Sequence, residues 1–253
     1  MTRSRSSIIY ILLVAIVCFA AGMASVLLRD DWIQPRSDTP IPTFRNQQDV
    51  EIEPTSSERQ ITIVLFGVDE ITSSKPELQA IWFASFEPPD KSIHLLGIAV
   101  DTPLDENKGT LKENFTLFEP PDFGAGFLTS LSRYAPHPIQ GFVVLDEEGF
   151  ADVIDYVGGV TLDSQELNGT AAVGALSLVK AQPLASLRMQ ARIMSSLAQN
   201  AALIGSTPEL TPLTRLIPDH AYTSPSPYQL ASLGSQLLPI DPSNVTIEIG
   251  SSN

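Results

Sequence analysis

Residues Gly141–Asp163 read GFVVLDEEGFADVIDYVGGVTLD. The run opens on Phe142-Val143-Val144-Leu145, short and β-branched, which suits a buried strand. Asp146 follows where a helix N-cap belongs, and Glu147 and Glu148 fall in the first turn, where carboxylates favour the helix dipole. Phe150, Val153, Ile154 and Val157 recur at the spacing of one helical face. Gly158-Gly159 ends the helix, because glycine accepts the left-handed conformation beyond a C-cap. Val160-Thr161-Leu162 then starts another extended run. Strand, helix and return strand in so few residues imply an α/β layer fold.

Outside this stretch, the chain has 253 residues, 43% of them hydrophobic, and a net charge of −14. Without an anchor and a linker, roughly 195 residues remain, enough for one sizeable core. The acidic balance argues against a nucleic-acid partner, since a phosphate backbone needs a basic footprint. It also argues against a polybasic grip on anionic lipid. The sole cysteine, Cys18, lies in an apolar N-terminal run, so the remainder forms no disulfide and no thiolate metal site. His94, His137 and His220 are widely spaced and show no metal-ligand pattern.

Residues 1–7 carry Arg3 and Arg5 and no acid. Residues 8–28 are a nearly unbroken apolar run of 21 residues, long enough for a membrane helix, which needs about 20. Ala21-Gly22-Met23-Ala24 mimics a cleavage site, so a cleaved signal peptide is the alternative to a retained anchor. With an anchor, the positive-inside rule places residues 1–7 in the cytoplasm and the rest outside, as a single-pass protein of the cell membrane. Trp32 falls where an interfacial aromatic belongs. Residues 29–59 are polar and broken by Pro35, Pro40, Pro42 and Pro54, the pattern of an exposed linker.

The folded domain is expected over residues 60–253. Ile61–Gly67, Ala80–Phe86 and Ser92–Ala99 read as buried strands, the last two as an antiparallel hairpin. Pro103–Phe123 reads as irregular and Gly124–Tyr134 as a short helix. Asn168 caps a helix to about Lys180, and Pro183 opens a longer one to about Leu203. Thr207-Pro208-Glu209 repeats the helix-start signal, Ser226–Leu238 reads as a further helix, and Val245–Ile249 as a closing strand.

Asp69, the hairpin ending in Asp101-Thr102, the Gly141–Asp163 stretch and the helix pair after Asn168 together resemble the LytR-CpsA-Psr family, over roughly Gln60–Ala202. The family's V-x-V-x-F-x-G-F and D-x-x-G-G-V elements look like Val143 to Val160, with Leu145 and Glu147 as departures. Its L-x-G-x-x-A-L is similar to Leu167 to Val173, and its K-I-N to Lys112-Glu113-Asn114. The charged motifs match less well. G-x-D-x-R resembles Gly67-Val68-Asp69, with Ile71 in place of arginine. R-S-D-T resembles Glu77-Leu78-Gln79-Ala80, which lacks both arginine and aspartate, and P-R-D-T resembles Ala99-Val100-Asp101-Thr102, which keeps only the aspartate. Y-x-R-x-R falls on Ala175 to Val179 without either arginine. In R-x-x-R-Q, Arg188 matches, Ala191 takes the second arginine position, and Arg192 comes one residue late, about 100° around a helix.

The resemblance implies an N-terminally anchored extracytoplasmic protein. Such proteins bind polyprenyl-pyrophosphate-linked glycans and transfer the glycan to the cell wall. It implies Asp101 and Arg188 as catalytic remnants, and Lys112, Arg188 and Arg192 as phosphate contacts, with Lys180 a further cation that could substitute. It implies Asp69 as a magnesium ligand. Leu176, Val179, Leu187 and Met194 are candidates to line a pocket for the polyprenyl tail. Arginine suits pyrophosphate because its planar fork makes paired charge-assisted hydrogen bonds. Losing one such contact costs about 10²–10³ in rate, so several losses predict a degenerate member. That member would act as an envelope lipid- or partner-binding module, or structurally, with no cofactor. The alternative is a working glycopolymer transferase, which would use magnesium. The expected architecture is a single three-layer α/β/α domain with a mixed central sheet, preceded by one transmembrane helix.

Overall fold

Ile61–Val68 is apolar at nearly every position and buried on both faces, as a strand without a polar side must be. It lies inside a six-stranded sheet in the computed structural model, which describes residues 60–87, 91–104, 109–118, 122–123, 126–201, 215–216, 219–224 and 241–250. In chain order the strands are β1 (Ile61–Val68), β2 (Leu78–Glu87), β3 (Ser92–Ile98), β4 (Leu117–Phe118), β5 (Asp122–Phe123), β6 (Ile139–Asp146), β7 (Val160–Leu162), β8 (Gln165–Leu167), β9 (Ala221–Thr223) and β10 (Val245–Ile249). The α-helices are α1 (Leu111–Asn114), α2 (Phe127–Leu131), α3 (Glu147–Tyr156), α4 (Gly169–Val179) and α5 (Pro183–Ala201). The sheet order is β10-β3-β2-β1-β6-β9. The β1–β6 and β10–β3 junctions are parallel and the others antiparallel, so the sheet is mixed as expected.

Alternation along the strands supplies two faces. Ile63, Trp82, Phe86, Leu95 and Val143 point to one side, against Ile154, Leu187, Ile193 and Leu197 of the longer helices. Val64, Phe66, Phe83 and Val144 point to the other, where Leu111, Phe115, Phe123, Phe127 and Leu131 cover them. Phe66, Phe115, Phe123, Phe127 and Phe142 pack with ring centroids 4.6–6.0 Å apart, within the range of favourable tilted and edge contacts.

The Gly141–Asp163 stretch folds as β6, α3 and β7. Asp146 caps α3 by accepting from Gly149 N at 2.8 Å. Gly158 and Gly159 have φ of 91° and 98°, the left-handed backbone that ends the helix. One expectation needs correcting. β7 is a strand, but it does not return to the central sheet; it pairs with β8 in a separate hairpin. Asp163 and Ser164 turn that hairpin with φ of 50° and 67°, a two-residue primed turn. The Pro103–Phe123 region is also more ordered than expected, holding α1 and the β4–β5 pair. β9 was not foreseen.

Among the described residues, no helix is long and apolar enough to cross a membrane. The 8–28 run, the linker, the Thr207 start signal and the Ser226–Leu238 helix lie outside the described residues.

Candidate functional site

α4 carries no charged residue and buries only Gly169 and Ala172. It is pinned at its start. Asn168 caps it through Ala171 N at 2.9 Å, and Asp155 of α3 accepts from Gly169 N at 2.6 Å. Asp155 is therefore a structural acceptor. Gly169 passes so close to α3 that an added Cβ would sit 1.9 Å from the Ala151 carbonyl oxygen. From that pinned end, α4 runs over the sheet without filling the space beneath it.

The result is an apolar cleft of about 940 Å³, open mouth included. Leu65, Trp82 and Val143 of the sheet form its floor, and Phe150, Val173, Leu176 and Met194 of the helices its walls. A second cavity of about 600 Å³, its open mouth likewise included, is lined by Asp101, Lys112, Pro183 and Leu187, among others. The two share Gln79, Lys180, Ser186 and Gln190. Buried Gln190 organises this junction. It accepts from Trp82 Nε1 at 3.0 Å and donates to the Gln79 carbonyl at 3.0 Å and to Ser186 Oγ at 3.2 Å.

The charged groups at the junction are held by one residue that sequence reasoning missed. Glu77 Oε1 lies 2.6 Å from Lys112 Nζ, and Glu77 Oε2 lies 3.3 Å from Lys180 Nζ and 2.9 Å from Gln79 Nε2. Lys180 is also 3.8 Å from Glu147 Oε1. The Lys112 hydrogen bond outweighs the desolvation that opposes it, and with Gln79 and Lys180 pulls the Glu77 carboxyl down to about 2. The available signal was a reversal of sign. Glu77 stands at the arginine position of the R-S-D-T-like segment, so the chain has not just lost a cation there but gained an anion.

The other anticipated residues divide. Asp101, on an exposed turn, and Lys112 line the same cavity as Lys180. Leu176 and Met194 line the apolar cleft, Leu187 is buried and lines the smaller cavity, and Val179 lines neither. Arg188 is exposed and lines neither cavity. Arg192 is paired with Asp163 in the β7–β8 turn, so the one-residue offset directs it away from the junction. Asp69 spends Oδ1 on its own loop, accepting from Glu70 N at 2.8 Å and Glu77 N at 2.7 Å. Beside it the R-S-D-T-like aspartate is Gln79. A magnesium cage needs several oxygen ligands free to coordinate; this loop-bound carboxylate and a neutral amide do not supply one. Among the described residues, no group of three or more His, Cys, Asp or Glu is placed to hold a metal.

Asp146, read from sequence as a cap alone, is 4% exposed, lines the cleft, and lies 3.1 Å from His220 Nδ1. Burial opposes the His220 imidazolium, but the Asp146 carboxylate, with Glu148 and Asp152, more than offsets this and raises its pKa above the usual 6.5.

No family model matches the chain. It is 25% identical over 159 residues to the polyisoprenyl-teichoic acid–peptidoglycan teichoic acid transferase TagU of Bacillus mycoides. That match covers 60% of this chain and 51% of TagU, so the chain spans about half the length of this curated relative. Among solved structures, B. subtilis TagV superposes with a TM-score of 0.58 at 15% identity, over 77% of this chain and 85% of TagV. The Bacillus subtilis transcriptional regulator yvhJ gives 0.56 at 17% identity, over 77% and 83%. TagT bound to LIIa-WTA gives 0.54 at 14% identity, over 83% and 86%. The chain therefore has the fold of TagV and TagT, and in sequence and fold together it resembles the LytR-CpsA-Psr family.

Proposed function

We propose that this chain is a membrane-anchored, extracytoplasmic protein of the LytR-CpsA-Psr type that binds an envelope lipid in its apolar cleft and does not transfer a glycan. The observation that carries this reading is the Glu77 clamp. Pyrophosphate transfer needs cations directed at developing negative charge, and here both lysines at the mouth are committed to a carboxylate. The cleft has the apolar walls of a lipid or small-molecule site. Leu178, 86% exposed, and Leu184 lie on the α4–α5 segment beside Lys180 and Pro183 at the mouth, which suits entry from a lipid surface. Residues 8–28 supply the anchor in this reading, and residues 29–59 the tether.

A second reading has one observation in its favour. Asp101, Lys112 and Lys180 line one cavity at the end of the cleft, a minimal set for glycopolymer transfer from a polyprenyl-pyrophosphate carrier, the class of reaction in TagU's name. Asp69, bound to its own loop, gives that reading no magnesium site.

One experiment separates the two. The full-length protein is purified from its native membrane and extracted with organic solvent. It is also incubated with a polyprenyl-pyrophosphate-linked glycan, a wall acceptor and magnesium. The expected result is a near-stoichiometric long-chain lipid in the extract and neither glycan transfer nor phosphate release. Turnover would establish the transferase instead, and an extract without lipid would refute the binder.

A further inference from the structure

The apolar cleft and the smaller cavity meet at Gln79, Lys180, Ser186 and Gln190. An amphiphile with its chain in the cleft can place its head at that junction. Lys180 lines both spaces, Lys112 and Asp101 line the second cavity and Glu147 the cleft, while Glu77, which lines neither, pairs with both lysines. Both Glu77 oxygens are engaged by the lysines. A diphosphate entering the junction would have to displace a carboxylate from two ammonium groups or lie against it. Either outcome is unfavourable, because like charges at contact repel. An uncharged head meets no such obstacle. Gln79 and Ser186 supply neutral donors and acceptors at that level, and the lysine–glutamate cluster stays intact.

Resting on the lipid-binding reading above, we propose that Glu77 is a head-group selector: the cleft takes a long-chain lipid ending in an uncharged hydroxyl and discriminates against its phosphorylated forms. The low pKa of Glu77 supports this, since the carboxylate stays charged at any mildly acidic pH.

The test uses the full chain in phosphatidylcholine nanodiscs. Trp32→Phe leaves Trp82, on the cleft floor, as the sole tryptophan. Energy transfer from Trp82 to a dansyl-labelled isoprenoid alcohol reports occupancy. Geranylgeraniol, geranylgeranyl monophosphate and geranylgeranyl diphosphate, which share one chain, then compete for it. The alcohol is expected to displace the probe at a concentration at least about tenfold below the diphosphate, the scale of one charge-assisted contact. Glu77→Gln, which keeps the shape and frees both lysines, should narrow or invert that ratio by about tenfold or more. Lys112→Gln with Lys180→Gln, which leaves the Glu77 carboxylate without its cations, should restore no diphosphate affinity. The proposal is overturned if the wild-type protein takes the diphosphate as tightly as the alcohol, or if Glu77→Gln leaves the ratio unaltered. Failure of every probe to bind would instead remove the lipid-binding reading on which it rests.

Discussion

At the residue scale, His220 is the group whose titration matters near neutrality. Its pKa is raised in the fold because Asp146, itself buried, accepts from the ring across 3.1 Å. A raised pKa means the folded state holds the proton more tightly than the unfolded chain. The stabilisation is therefore complete below the unfolded value near 6.5 and is lost as pH rises through the folded value. The urea midpoint should therefore fall as pH rises above about 6.5. His220→Gln should flatten that profile. A wild-type midpoint that is level across the same range would show that the pair contributes nothing. Glu77 behaves oppositely: its depressed pKa makes its contribution present above 4.5 and lost only as pH falls towards about 2. The two residues also mark what a sequence shows. Asp146 was legible as a cap because its acceptor role lies three residues away, whereas its second partner is 74 positions distant. Glu77 was visible in a motif alignment, but its meaning depends on two lysines that only the tertiary fold brings to it.

At the element scale, two glycines of α4 make opposite predictions from the same helix. Gly169 has the Ala151 carbonyl where its Cβ would be, so Gly169→Ala must push α3 and α4 apart. A loss of about 3 kcal/mol is expected, read as a lower midpoint in urea unfolding. Gly174 has nothing within 4 Å, and in a helix interior Gly174→Ala should stabilise by about 0.5–1 kcal/mol. If both substitutions shift stability in the same direction, the close crossing is wrong. The ends of α4 and α5 were legible because Asn168 and Pro183 are local signals that need no neighbour. The return strand after Gly159 was legible as a strand, but not in its destination. Three residues fix an extended conformation without fixing a partner, and the Asp163–Ser164 turn hands β7 to β8. β9 escaped notice for the same reason: its three residues are set by pairing with β6, not by their own pattern.

At the scale of the whole molecule, the cleft exists because a three-layer fold is held open by a pinned helix. A charge-free helix of this kind would ordinarily settle into the core. Here the Gly169–Ala151 crossing pins the start of α4 against α3, and Gln190 ties α5 directly to Trp82 and Gln79 of the sheet, so the open space lies under α4. Sequence periodicity marks which residues face inward, so Leu176 and Met194 were found; it does not report whether they touch. That gap can be filled deliberately. Val173 and Leu176 are partly exposed and line the space without completing a packed core. Leu176→Trp should therefore occupy part of the cleft with little strain, shifting stability by less than about 1 kcal/mol. Lipid recovered with the purified protein should drop several-fold. A tightly packed interior responds differently, because an indole forced into it costs about 1–3 kcal/mol. Unchanged lipid content together with a clear loss of stability would mean that the helices close over this space in solution and that the cleft is not where a ligand resides.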